Sequence, residues 1–452
     1  MRRLAGLLCV ASLAFAGLLA WAEDAAQPAD PRSEIQELQN QLKHLQQRLD
    51  ELEKKPDGVS LRERVEDIEK KLGDKLIAGY DGKFFVQSPD GENRVNLGGF
   101  FHLDGRFPAN GSSKSSDAFL FRRARISLDG FVARYWEFKI EADLADKSSG
   151  KTYFTDVYVN WHYFEEFHVK AGNFKAPFSL EELTSDNSLR FIERSALNSL
   201  VPSRKSGVAI AGKPVPAGVL AYNIGVFSGS QTGSFMTVAR LALDFSKQQD
   251  LGILQYVSIG GNAVYDHDAG STVGTSFSTD LRSKFFAYNS GVTSAGGTCL
   301  TGGDISFWRG PFGFVAEYMA ADQQLRRTGS PDTNVTNDGW YAQASCVLTG
   351  EEASVKGVKL VNEFDLSKGT WGAFEIAGRY TRVNIDKNVF ARSFADPSKY
   401  TDGSDICTGG LNWYLNKYLK LMFEYEHARF DSPLAGGSEA EDGVITRVQL
   451  AF

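Results

Sequence analysis

Alternation of apolar and polar side chains along long segments is the feature that most limits how this chain can fold. Residues 94–107, 136–144 and 157–161 each place apolar residues on one face and polar residues on the other. An ordinary sandwich strand shows this pattern over about five residues. Repeated strands of about ten residues, with one oily face toward lipid and a wet interior, are typical of a transmembrane β-barrel. The pattern predicts an all-β transmembrane antiparallel barrel over residues 80–452.

Sixteen segments fit this period of two. We predict strands at residues 94–107, 118–130, 135–145, 152–163, 167–175, 206–212, 218–227, 236–245, 254–265, 301–308, 311–319, 338–348, 371–383, 404–414, 418–430 and 443–452. The segments 206–212 and 301–308 are weakly patterned, so counts of about fourteen or about eighteen strands stay open.

Short and long connections alternate between these segments. The long ones are predicted at residues 108–117, 146–151, 176–205, 266–300, 320–337, 384–403 and 431–442. Outer-membrane barrels have this asymmetry, with short periplasmic turns and longer external loops. The connection 349–370 departs from the rule, because it is long on the side where turns should be short.

Composition narrows the class of protein further. A hydrophobic fraction of 42% excludes a polytopic helical membrane protein, and 45 Gly with 32 Phe favours β-structure. The formal net charge of −7 argues against nucleic acid as a partner, because such a surface needs clustered excess Lys and Arg. A local basic lining within a pore is compatible with this charge.

The first 22 residues have the pattern of an export signal. Arg2 and Arg3 precede the uncharged run Leu4–Trp21, and Ala20-Trp21-Ala22 resembles a cleavage site. We predict a signal peptide over residues 1–22, export, and a mature chain beginning near Glu23. The alternative is an uncleaved anchor, because a run of this length is at the lower limit for a spanning helix.

A heptad pattern follows a short linker, residues 23–33. Apolar residues alternate at intervals of three and four, first at Ile35, Leu38, Leu42, Leu45, Leu49 and Leu52, and then at Leu61, Val65, Ile68 and Leu72. This spacing predicts a coiled coil over residues 34–76 and therefore self-association. The alternative is a single amphipathic helix lying on the barrel or the membrane surface.

Several groups of residues within the predicted barrel match one known family in type, order and spacing. They are Phe121–Ile126, Gly172–Glu181, Leu183–Ser185, Phe191–Ser195, Tyr341–Gln343, Leu348–Glu351 and Leu411–Asn416. These residues resemble the phosphate-selective porin O and P family over roughly residues 80–452. The resemblance implies a sixteen-stranded barrel, usually trimeric, that passes anions passively, often phosphate or polyphosphate. A coiled-coil segment often precedes the barrel in that family.

Charged residues on the polar strand faces are the candidate pore lining. Arg123 and Arg125 share a face with Ser127 and Asp129, so both are predicted to point into the lumen. Arg122 is then predicted to point outward or to lie above the membrane. By the same parity, Lys170 and Lys175 cannot share a face.

Three further cations, Lys139, Arg240 and Arg379, also lie on polar faces. Each is close in sequence to a carboxylate: Glu141, Asp244 and Glu375, respectively. Wall salt bridges are therefore predicted for them in preference to ion sites.

The resemblance assigns roles to four of the candidates. Arg122 and Arg123 match the family's paired arginines, and Lys175 is a constriction residue at the entry of the 176–205 loop, which we expect to fold into the lumen. Glu182 stands where phosphate-binding members carry a lysine. A carboxylate there would repel a phosphate dianion. We therefore expect anion preference without tight phosphate selectivity.

Catalysis finds no support in the sequence. The six His are scattered, and no metalloprotease, nucleophile-elbow or Walker motif is present. We predict an outer-membrane porin without cofactor or metal, whose partners are outer-membrane lipid, small anionic solutes and copies of itself, with a trimer as the expected assembly. The alternative is a structural anchor whose coiled coil tethers the outer membrane to the cell wall.

Overall fold

The computed structural model describes residues 76–110, 118–145, 153–214, 219–230, 233–246, 248 and 251–452. The predicted signal peptide, the linker and all but the last residue of the predicted coiled coil lie outside these residues, as do residues 146–151. No helix in the described ranges has the length and apolar character needed to cross a membrane.

Sixteen antiparallel strands form a closed barrel, in which the last strand pairs with the first barrel strand, Val444 opposite Phe107. The barrel strands are β3 (Arg94–Asn110), β4 (Ala118–Val132), β5 (Trp136–Asp143), β6 (Tyr153–Trp161), β7 (His168–Lys175), β8 (Arg204–Gly212), β9 (Leu220–Ser228), β10 (Phe235–Asp244), β11 (Val257–Asp266), β14 (Thr293–Arg309), β15 (Phe312–Arg327), β16 (Ser330–Val347), β21 (Ala373–Asn384), β22 (Gly403–Tyr414), β23 (Leu419–Phe430) and β24 (Ala440–Ala451).

The smaller elements lie in the connections and before the barrel. They are β1 (Ile77–Tyr80), β2 (Phe84–Gln87), β12 (Ser276–Ser278), β13 (Lys284–Ala287), β17 (Ala353–Ser354), β18 (Gly357–Val358), β19 (Phe364–Asp365), β20 (Thr370–Trp371), the helices α1 (Leu180–Leu183) and α2 (Lys387–Ala391), and 3-10 turns at Asp186–Ser188, Ala196–Leu200 and Gly252–Tyr256. The β1–β2 hairpin continues the barrel wall, because β2 pairs with residues 94–97 of β3.

The predicted count of sixteen strands is confirmed, including the two weakly patterned segments. The predicted long connection 320–337 is wrong, because β15 and β16 continue through it and leave only Thr328 and Gly329 between them. The polar run from Asp322 to Asp338 contains few apolar residues. Where no lipid contacts the strand, its outer face need not be apolar. The two strands therefore stay hydrogen-bonded to each other although apolar and polar residues no longer alternate.

The barrel has the inside-out polarity expected of a strand wall in lipid. On β23, Phe423 and Tyr425 are about half exposed on the outer face, whereas Glu424 and Glu426 are buried on the inner face. Burial inside this barrel therefore reports contact with loops that enter the lumen.

One part of the inner wall is apolar, contrary to the expectation of a wet interior. The inward residues of β8 to β15 form a cluster with loop residues 178, 197 and 201, and its wall members include Ala209, Phe227, Met236, Val264, Leu300 and Met319. These strands provide an apolar surface on which the loop packs, since Phe178 and Leu197 are fully buried there.

The long connection between β16 and β21, residues 348–372, lies at the end of the barrel where the turns are short. Its first hairpin, β17–β18, reaches the loop that follows β7. The Ser354 carbonyl accepts a hydrogen bond from Arg190, and the Lys356 carbonyl accepts one from Ser188 Oγ at 2.9 Å. The unusual length thus supplies a support for that loop.

Gly172 lies in β7, three residues before the strand ends, and a substitution there can test whether its backbone conformation requires glycine. Its φ is +134°, and an added Cβ would lie 2.2 Å from the Val157 carbonyl oxygen. We expect Gly172→Ala to lower the free energy of unfolding by about 1–3 kcal/mol, because the backbone is strained for an L-residue. Thermal unfolding in detergent measures this. Gly378→Ala, which has nothing within 4 Å of the added Cβ, is the control, and equal midpoints for the two variants would contradict the prediction.

Candidate lumen site

The segment between β7 and β8, residues 176–203, folds into the barrel and is called the constriction loop below. Ser179 caps α1 by accepting a hydrogen bond from the Glu182 amide at 3.2 Å. The Lys175 ammonium donates to the carbonyls of Glu182 and Thr184 and so fixes the start of the loop to the end of β7. Acids of this loop pair with arginines on the inner faces of β3, β4 and β21, which agrees with the expectation that the loop enters the lumen.

Asp186 is one of the carboxylates that hold the constriction loop to arginines of the barrel wall. Its oxygens lie 3.4 Å from Arg123 Nε, 2.8 Å from Arg125 Nη1 and 2.6 Å from Arg194 Nη1. Burial alone would raise the pKa of Asp186, but the nearby guanidinium groups hold it well below its usual range. Asp186 is therefore a fixed negative charge that neutralises the arginines of β4.

Glu193 is the second anchoring carboxylate. It accepts from Arg122 Nε at 2.6 Å and Arg106 Nη2 at 2.9 Å, and Arg282 Nη2 lies 2.5 Å away. Burial would raise the pKa of Glu193, and the surrounding arginines, Arg122 first among them, keep it well below its usual range. The loop is thus ionically bound to β3, β4 and the 267–292 connection.

Arg122 reaches Glu193 of the constriction loop and points into the lumen, so the outward orientation, one of the two alternatives predicted for it, is wrong. His102 pairs with Arg123 and Leu103 pairs with Phe121, which leaves Arg122 as an extra residue in β4. Such a bulge shifts the alternation by one residue. Both members of the arginine pair can therefore contact acids of the constriction loop.

The three wall cations form salt bridges, but two of the expected partners are wrong. Lys139 Nζ lies 2.9 Å from Glu141, as predicted. Arg240 makes two contacts with Asp304, at 2.5 and 2.9 Å, and Asp304 belongs to a strand two positions away. Arg379 binds Asp280 at 2.7 Å and Glu181 at 3.4 Å instead of Glu375.

Glu182 lies within the folded constriction loop and is only 2% exposed. Its carboxylate lies 3.3 Å from Arg194 Nε and accepts hydrogen bonds from Asn198 Nδ2 and Ser203 Oγ, both at 3.2 Å. Its charge is matched locally and does not face open lumen. The repulsion of phosphate that the sequence suggested at this position therefore has no basis in the geometry.

Beside the loop remains a cavity of about 370 Å³ along the inner face of β4 to β9, called the basic cavity below. Five cations line it, Arg125, Lys139, Lys170, Lys175 and Arg204, together with three carboxylates, Glu141, Asp156 and Asp186. The parity argument that separated Lys170 from Lys175 is wrong, because Lys175 lies at the strand end, where its side chain turns toward the loop.

Ion pairing divides these five cations into two groups. Arg125, Lys139 and Arg204 each lie within 4 Å of a carboxylate of the cavity. Lys170 and Lys175 form no such pair among the described residues. Lys170 Nζ instead lies 4.4 Å from the Tyr158 ring centroid and 5.5 Å from that of Phe174.

Sequence reasoning did not single out Lys170 and Arg204 as site residues. Lys170 alternates with His168 on β7, and both line the cavity, so strand parity alone was a usable signal. Arg204 begins β8, where the sequence shows no alternation. In the described ranges, no group of three or more His, Cys, Asp or Glu side chains is placed to hold a metal ion.

Comparison with known proteins gives a consistent assignment. The family model described as phosphate-selective porin O and P matches residues 95–452. Porin O of Pseudomonas aeruginosa is 26% identical over 424 residues, which cover 84% of this chain and 93% of that protein.

Solved structures share the fold at low identity. The outer membrane channel DcaP of Acinetobacter baumannii has a TM-score of 0.55 at 13% identity, covering 83% of this chain and 100% of that one. An anion-selective porin from Comamonas acidovorans has a TM-score of 0.53 at 12% identity, covering 80% and 100%, respectively.

The neutralising role of Asp186 can be tested directly. Asp186→Asn should increase the preference for chloride over potassium, because three guanidinium groups lose a shared negative charge. The reversal potential under a salt gradient in a planar bilayer measures this. Asp332→Asn removes the same charge from the exposed β15–β16 hairpin and serves as control. An identical reversal potential for the Asp186 variant and the unmodified pore would refute the role.

Proposed function

Because this chain belongs to the phosphate-selective porin O and P family, we propose that it is an outer-membrane porin through which small hydrophilic anions diffuse passively. The family model covers nearly all of the barrel, and the Porin O relative covers most of the chain. Membership in a porin family supports a channel and gives no support to an enzyme.

The observation that supports the anion preference is that the lining of the basic cavity has more cations than carboxylates, so that two cations have no acidic partner there. Lys170 and Lys175 are the two cations that exceed its carboxylates. Carbonyl oxygens and ring faces hold these ammonium groups in place but do not cancel their charge. Exposed charges farther than about 8 Å are largely screened at physiological salt, so this local excess outweighs the negative net charge of the chain.

The same cavity limits how tightly phosphate is held. The three carboxylates that line it are each paired with a cation, so only Lys170 and Lys175 are left to attract a solute. Lys175 already donates hydrogen bonds to two loop carbonyls, and Lys170 lies over aromatic rings. Moderate anion preference without tight phosphate binding follows from this small excess of positive charge, and Glu182 is not its cause.

The N-terminal part completes the proposal. Residues 1–22 act as a signal peptide, 23–33 as a linker and 34–76 as a coiled coil that joins three copies. The strict three-four spacing of its apolar residues and the usual trimeric state of the family support this. Residues 80–452 form the porin domain, and the outer-membrane lipid surrounds it. A barrel that served only to anchor the coiled coil to the cell wall would show no channel current.

The two unmatched lysines define the main test of function. Lys170→Gln and Lys175→Gln should each reduce the chloride preference, and the double variant should approach no preference, because the cavity then has equal numbers of opposite charges. Reversal potentials in a planar bilayer report this directly. Lys213→Gln removes one exposed charge from the β8–β9 connection, outside the cavity, and is the matched control.

Two outcomes of that test have different meanings. A cation-selective or silent unmodified pore would overturn the proposed function. A chloride preference that survives in the double variant would keep the function but assign it to other residues.

The oligomer has its own test. Full-length protein in mild detergent should run as a trimer by native mass spectrometry. Deleting residues 23–76 should leave a barrel that inserts but dissociates more easily, since the coiled coil no longer reinforces the contact between barrels. A monomeric full-length protein would show that the heptad pattern does not drive self-association.

A further inference from the structure

The basic cavity has apolar surface as well as charge. Its lining includes the rings of Phe100 and Tyr158 and the side chain of Leu183. Ligand sites in proteins have volumes of about 300–1,000 Å³ and combine apolar walls with a few fixed polar groups. At about 370 Å³, the basic cavity has the size and the lining of a site for a small organic solute.

The helix α1 of the constriction loop contributes its leucine, and not its acids, to this lining. Glu181 and Glu182 are buried, whereas Leu183 is 37% exposed. The Glu181 carboxylate is held within the loop, where it accepts hydrogen bonds from the Ser195 amide at 3.0 Å and the Ser195 hydroxyl at 2.8 Å. The loop therefore offers the cavity an apolar contact at this point and no unpaired carboxylate.

Each cation without a carboxylate partner lies beside one of these apolar groups. The Lys175 ammonium donates to the two backbone carbonyls that flank Leu183. Lys170 Nζ lies 4.4 Å from the centroid of the Tyr158 ring. Positive charge and apolar surface are therefore adjacent at two points of the same cavity.

Both ammonium groups keep donors for a solute. A lysine ammonium has three donors, and Lys175 uses two of them on the loop carbonyls. Lys170 makes no hydrogen bond with any residue that the structure describes, and its Nζ is not one of the buried atoms that lack a partner. Solvent therefore reaches Lys170 Nζ, and an anion in the cavity can take the place of that water.

A solute gains most from this lining when it is both charged and apolar. An inorganic anion interacts with the lysines alone. An organic carboxylate can accept a hydrogen bond from a lysine and also remove apolar surface from water. One negative charge suits the lining better than two, because only two lysines are unmatched and Lys175 is already partly used.

We propose that the basic cavity selects small organic carboxylates with one negative charge and an apolar body of about the size of one ring, in preference to phosphate. The lysines bind the carboxylate, and Leu183 with the neighbouring rings contacts the apolar body. This inference rests on the proposed porin function and adds the class of solute to it.

Inhibition of the chloride current in a planar bilayer tests the proposal on the unmodified protein. Benzoate has a ring and a charge, acetate has the charge alone, and benzyl alcohol has the ring alone. At neutral pH and fixed chloride concentration, the half-inhibitory concentration of benzoate should be at least about tenfold below that of acetate, because the ring is partly removed from water. Benzyl alcohol and phosphate should also inhibit more weakly than benzoate. Inhibition by any of the three that equals or exceeds that by benzoate would overturn the proposal.

A pair of leucine variants locates the site. Leu183→Asn should reduce the ratio of the acetate to the benzoate half-inhibitory concentration at least about threefold, because the apolar contact is lost while both lysines remain. The ratio is taken within each variant, so a change in conductance does not affect it. Leu366→Asn removes a leucine that is 46% exposed on the 348–372 connection and does not line the cavity, and it should keep the ratio of the unmodified pore. Equal losses in the two variants would show that benzoate acts from elsewhere and would overturn the site.

Failure of this inference is distinguishable from failure of the porin function. A silent or cation-selective unmodified pore would overturn the proposed function and this inference with it. An anion-selective pore that benzoate inhibits no better than acetate would keep the porin function and overturn only the preference for organic carboxylates.

Discussion

Ion pairing between the carboxylates of the constriction loop and the arginines of the barrel wall is the interaction on which the rest of the lumen depends. Asp186 and Glu193 each meet three or more guanidinium groups. Shielding from bulk water makes these contacts stronger than the same pairs at an exposed surface. The apolar surface of β8 to β15 holds the other side of the loop. Together they fix which part of the cross-section stays open, and that part borders β4 to β9.

The fold was largely predictable because lipid and lumen act on alternate residues of every strand. Even the weak segments 206–212 and 301–308 became strands, since a barrel must pair every edge to close. The failure at 320–337 has the same origin. Outside the lipid layer the outer face of a strand does not need to be apolar. The alternation of apolar and polar residues therefore disappears there although β15 and β16 continue.

The site was less predictable because it depends on register and on distant partners. The alternation of strand residues correctly placed Arg123 and Arg125 on the inner face. The bulge at Arg122 shifts this alternation by one residue, and nothing in the local sequence indicates that a bulge forms there. The partner of Arg240 is Asp304, 64 positions along the chain, and only the pairing of β10, β11 and β14 brings the two together. Sequence neighbours such as Asp244 are poor guides to cross-strand contacts.

These contacts divide the charged lumen residues into two groups: those that are paired and hold the loop in place, and those that are unpaired and can attract a permeating ion. The lumen arginines are numerous, but those that hold the loop are matched by acids and contribute little net field. Lys170 and Lys175, held by rings and carbonyls, keep their charge and face the open cavity. A count of lumen arginines would therefore overestimate the anion preference, and the net charge of the whole chain, −7, would give the wrong sign. The selectivity of such a pore depends on the unmatched charges within a screening length of the permeant ion, and these can be identified only after every salt bridge has been assigned.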